Sequence, residues 1–195
     1  MKKIISLILV CVMALSLVAC GTKTPAETTA PETTAPAVSV ESALAVLENI
    51  WNLYGEDEKF AVIGGNMESP VDGAPGNYDM AYAEGLTWNL LVPEAEIANI
   101  DEAATMIHMM NANTFTCGVV HLVEGADAAA FAQVMRDAVQ NNRWMCGFPE
   151  TLTIAVIGEY VLVAFGINDA MNPFMTHFAE AFPGVEFLFN EAIAG

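Results

Sequence analysis

Leu152-Thr-Ile-Ala-Val-Ile157, then Gly158-Glu159, then Tyr160-Val-Leu-Val-Ala-Phe165 is the stretch whose reading decides the fold. Two apolar, β-rich runs flank a two-residue turn with glycine first, the pattern of a β-hairpin closed by a type II′ turn. Side chains alternate across a strand, so Val161, Val163 and Phe165 take one face and Leu162 and Ala164 the other. Both faces are then apolar, and the sheet needs cover on each.

Upstream, Thr105 to Met110 and Phe115 to Val123 form a second pair of strand-like runs, joined by Asn111-Ala112-Asn113. Asp127 then caps a helix carrying Phe131, Val134, Met135, Ala138 and Val139 on one face. Downstream of the first hairpin, Asn172-Pro173 opens a helix with Phe174, Phe178 and Phe182, which Pro183-Gly184 stops. Val185, Phe187 and Phe189 alternate with Glu186 and Asn190 in a last strand. Hairpin followed by helix therefore occurs twice. The expected fold is α+β, a mostly antiparallel sheet built from hairpins with helices packed on it.

Earlier in the chain, Ser39 caps a helix whose apolar positions are Leu44, Leu47, Trp51 and Tyr54, ended by Gly55. Phe60 to Gly64 reads as a short strand and Asn66 to Asp79, rich in Pro and Gly, as a long irregular loop. A short helix over Tyr82 to Leu91 and another started by Pro93 over Glu94 to Ile97 complete this half.

The N-terminus carries a different message. Lys2 and Lys3 precede an apolar run from Ile4 to Val18, too short to span a bilayer and matching a secretory leader. Leu17-Val18-Ala19-Cys20-Gly21 resembles the lipobox of bacterial lipoproteins. That resemblance implies a diacylglyceryl group on Cys20, cleavage before it, and a location at the extracytoplasmic face of the cell membrane. Residues 21–38 carry Pro25, Pro31 and Pro36 among Thr and Glu and cannot bury an apolar face. They read as a tether reaching up to about 55 Å in an extended conformation. The expected organisation is a leader over 1–19, a lipid-anchored tether over 20–38 and a single globular domain over 39–195.

Loss of Lys2 and Lys3 with the leader leaves 4 basic against 24 acidic residues, a net charge of −20. Such a field repels phosphate backbones and anionic headgroups, so nucleic acid is excluded as a partner and the membrane is reached through the lipid alone.

Cys117-Gly118-Val119-Val120, Asn142-Arg143-Trp144-Met145-Cys146 and Gly158-Glu159-Tyr160-Val161 are together similar to a group of uncharacterised Gram-positive exported lipoproteins with a domain of unknown function. The similarity implies an anchored α+β domain and no particular activity.

Candidate chemistry is sparse. His108 and His121 fall in adjacent strands and could face each other, with Cys117 on the strand parity of His121, so a small His/Cys metal site is one alternative. No Cys-x-x-Cys or His-x-x-x-His pair supports it, and structural histidines fit the same pattern. Cys117 or Cys146 beside a histidine would make a thiol nucleophile and its base, without any visible orienting group. Cys117 and Cys146 could equally form a disulfide or remain two free thiols. Arg143-Trp144 is the pair most like an interface anchor, although Trp144 also fits a core position. Gly64-Gly65 lacks the lysine of a phosphate loop, Asp72-Gly73 and Asp79 do not fit a calcium loop, and no Gly-x-Ser-x-Gly elbow occurs. The expectation is a lipid-anchored, non-enzymatic binding or accessory module with a protein or small-molecule partner and no cofactor beyond its lipid. The alternative is a small metal- or thiol-dependent enzyme.

Overall fold

The computed structural model describes residues 39–194. The leader, Cys20 and the tether lie outside the described residues. In chain order the elements are α1 (Ala43–Trp51), β1 (Val62–Gly65), β2 (Pro70–Asp72), β3 (Gly76–Asn77), α2 (Leu86–Asn89), β4 (Ile100–His108), β5 (Phe115–Leu122), α3 (Ala128–Gln140), β6 (Thr151–Ile157), β7 (Tyr160–Gly166), α4 (Asn168–Ala181) and β8 (Phe187–Ala192). Short 3-10 turns occupy Met80–Gly85, Glu94–Asn99 and Ala112–Thr114.

β6 and β7 pair antiparallel from Ile157↔Tyr160 to Thr151↔Gly166, as the hairpin reading requires. Gly158 has φ 62° and Glu159 has no positive φ, which fits a type II′ turn and rules out the I′ form with two positive values. The fold is α+β: one open antiparallel eight-stranded sheet in the order β2-β1-β4-β5-β7-β6-β8, with β3 also pairing β4. Both faces are covered. Ala104, Met106, Cys117, Val119, Leu162 and Ala164 pack under α1 and α4, whereas Val120, Val161, Val163, Leu152 and Ile154 pack under α3 and the 78–92 segment.

The placement of α3 and α4 on opposite faces follows from connection handedness. β5 and β6 are both antiparallel to β7, so they run parallel and α3 is a crossover past β7. β7 and β8 are both antiparallel to β6, which makes α4 the next crossover, stepping the same way along the sheet. Right-handed crossovers that step in one direction from strands of opposite sense must lie on opposite faces. Hairpin and helix thus recur in order without a rotation relating the two units. Such a rotation would put both helices on one face.

Several boundaries differ from the sequence reading, each for a local reason. Ser42 caps α1 in place of Ser39: its Oγ accepts from the Ala45 amide at 3.0 Å, while Glu102 Oε1 accepts from Ala43 N at 2.7 Å. Asn66 to Asp79 is no irregular loop. Asn66 Oδ1 accepts from the amides of Glu68 and Ser69, folding a turn that returns β2 against β1. Tyr82 to Leu91 is a 3-10 turn ending in a single α turn, with a break at Tyr82.

α4 begins at Asn168, not at Asn172-Pro173: Glu150 Oε2 accepts from Asn168 N at 2.7 Å, and Pro173 sits within the helix. In β8 the register shifts between Ile154↔Phe189 and Ala155↔Phe187. That irregularity sends Phe187 to Phe178 of α4, with ring centroids 4.6 Å apart, and Phe189 to the α3 face beneath Arg136. Simple alternation would have placed both rings on one side.

Candidate functional site

The histidines and cysteines do not converge. Ile107 pairs with Thr116, so His108 sits at one end of the β4–β5 ladder and His121 six residues along β5, a separation of about 20 Å. The facing pair expected from sequence does not form. His108 Nδ1 accepts from the amides of Met110 and Asn111 at 3.2 and 3.4 Å, and its ring stacks on Phe60 at 5.6 Å. His121 instead lies between carboxylates, with Nδ1 2.5 Å from Asp101 Oδ1 and Nε2 3.8 Å from Glu159 Oε2.

Cys117 is fully buried, and burial pushes its thiol well above the usual range, so the nucleophilic thiolate is suppressed. Cys146 is exposed on the loop after α3, and both are free thiols. The bridge left open by the sequence is not formed. Among the described residues no group of three His, Cys, Asp or Glu side chains is placed to hold a metal ion.

Arg143 and Trp144 divide. Trp144 turns inward, its ring 5.6 Å from that of Phe165, and its buried Nε1 has no hydrogen-bond partner. Arg143 faces solvent and lines a shallow cleft with Trp88, Met145 and Cys146. Among the described residues, exposed apolar side chains gather there. Of nine large apolar side chains that are exposed among the described residues, Met67, Tyr82, Trp88, Met109, Met110 and Met145 line a set of adjoining clefts that share Trp88. Trp88 is 84 % exposed, Met67 92 %, Met110 81 % and Met145 87 %. A tryptophan held open to solvent among thioethers lacks a folding rationale, because burying such side chains is what normally stabilises a domain.

Local chemistry fixes this surface in place. Leu90, at the end of α2, is buried directly over Gly118 of β5, where an added Cβ would lie 2.5 Å from Leu90 Cδ2. Glycine in β5 is therefore what lets α2 sit on the sheet. Leu86 O accepts from both Leu90 N and Val92 N, and the closing turn holds Leu91 at φ 63°. A non-glycine residue there costs on the order of 1 kcal/mol, strain of the kind that collects at binding sites. Asn89 Nδ2 donates to Tyr78 Oη at 3.3 Å, tying the same turn to β3. On the other rim the His108 ring fastens the turn that carries Met109 and Met110, and Asn113 Nδ2 donates to the carbonyls of Cys146 and Gly147.

The cleft bounded by Met67, Trp88, Met109 and Met110, about 270 Å³ in volume, is lined by no Asp, Glu, Lys or Arg. Glu68, Glu84 and Glu94 stand in the neighbouring clefts. Trp88 falls inside a run that reads as an ordinary short helix, so nothing local in the sequence marks it as exposed. The usable signal was the pair Met109-Met110 directly after a strand, too polarisable and apolar for a solvent turn. Compared with known proteins, the chain matches no family model, no curated protein and no solved structure.

Proposed function

We propose that the protein is a lipid-anchored, extracytoplasmic binding module that presents the face around Trp88 to its ligand. The anchor follows from Leu17-Val18-Ala19-Cys20 and the acidic Pro/Thr tether from residues 21–38. The observation that carries the binding role is the gathering of the exposed methionines and Trp88 on one face, braced by Gly118 and the Leu91 turn. Thioether side chains are flexible and polarisable and re-pack against an incoming surface, and an indole among them can serve as an interface anchor.

Oxidative footprinting tests the reading. Brief peroxide treatment of intact cells and of the purified domain, followed by mass spectrometry, should show Met67, Met109, Met110 and Met145 oxidised several-fold less in cells. The half-buried Met175 serves as the internal reference. Equal oxidation of the four in both samples would contradict an occupied face.

A further inference from the structure

We propose that the cleft formed by Met67, Met109, Met110 and Trp88 binds a soft monovalent metal cation, copper(I) in the cell, through thioether sulfur. This rests on the face around Trp88 being the binding face and names its ligand. Leucine and methionine have similar volume and apolar character, and methionine adds to its flexibility what leucine lacks, a polarisable sulfur donor. The four exposed methionines of the described residues all lie on this face, while Met80, Met106, Met135, Met171 and Met175 are buried or half-buried elsewhere.

The donor set then selects the ion. Calcium and magnesium take carboxylate and carbonyl oxygen, and zinc takes thiolate, imidazole or carboxylate. The cleft offers neither a carboxylate nor a thiol. Neutral thioethers are the ligands of soft ions, copper(I) foremost. His108 borders the cleft but is a positioning residue here. With Nδ1 accepting from two backbone amides, the neutral ring carries its proton on Nε2 and holds the Met109-Met110 turn. Trp88 presents an open indole in the same cleft, and indole is the strongest aromatic partner for a cation. The mature chain's charge of −20 raises the local concentration of cations outside a cleft that itself carries no fixed charge.

Silver(I), redox-inert and equally soft, is the probe. Calorimetric titration of the chain from residue 20 onward, with Cys20→Ser and Cys146→Ser as the parent background so that no accessible thiol competes for silver, should show one tightly bound Ag⁺, with a change in tryptophan fluorescence. Met67→Leu with Met110→Leu should weaken binding by about 10-fold or more per thioether removed, with the melting temperature unchanged, since both side chains are exposed. Retention of full affinity in the leucine variant would overturn the thioether site. Absence of Ag⁺ binding together with protected methionines in cells would overturn this ligand and leave the binding face standing. Absence of both would remove the two together.

Discussion

Trp88 and Tyr54 show opposite solutions to placing an aromatic side chain. Trp88 is left in solvent, so Trp88→Ala should change stability by no more than about 0.5 kcal/mol, measured by chemical denaturation. A larger loss would mean that the indole packs in the native domain and would weaken its assignment to a ligand. Tyr54 is buried beside His177, with ring centroids 4.4 Å apart, and its hydroxyl has no partner. Burial, reinforced by Cys117 and Glu58, pushes its ionisation far above the ordinary 10.0. The folded state therefore keeps the proton after the unfolded chain has lost it, and stability must fall as pH rises above about 10. Tyr54→Phe removes an unsatisfied hydroxyl and this proton linkage together. It should melt at or above the parent temperature at neutral pH and lose less stability between pH 10 and 11. A variant as alkali-sensitive as the parent would place that sensitivity at Tyr78 or Tyr160, whose ionisation burial also raises.

Among the elements, α2 depends on a residue in another strand. Gly118→Ala should push Leu90 off β5 and cost about 1–3 kcal/mol, with Trp88 displaced, whereas Gly55→Ala, whose Cβ would meet only Glu58 Oε2 at 3.4 Å, tests glycine replacement without overpacking. Unchanged stability in Gly118→Ala would mean that α2 is not seated by this contact. The β6–β7 hairpin was readable because Gly158-Glu159 and the alternating valines are local signals. Asp127 was readable for the same reason, its Oδ1 accepting from the amides of Ala129 and Ala130. Other boundaries were set by distant partners: Glu102 at the start of α1 and Glu150 at the start of α4 lie 59 and 18 residues away. No window of sequence contains such a pair. The Met67–Trp88–Met110 face was invisible for the same reason, since it gathers side chains from three separate turns.

For the whole molecule, the acidic charge, the tether and the anchor are proposed to hold one binding domain clear of the membrane. Deleting residues 24–36 should leave the domain's melting temperature unchanged, because their Pro/Thr/Glu composition offers no apolar face to bury on it. A large loss would mean that the tether docks on the domain. Cys20→Ser should abolish lipid labelling, and an unmodified Cys20 found by mass spectrometry in native membranes would end the lipoprotein reading. The central claim, that the face around Trp88 is where the anchored protein meets its ligand, is tested most directly by hydrogen–deuterium exchange on native membranes beside the purified domain. Protection gained in membranes should be confined to the segments 66–69, 86–91, 108–114 and 142–148, with the α1 and α4 face unchanged. Identical exchange in those four segments, or protection confined to the α1 and α4 face, would contradict the account.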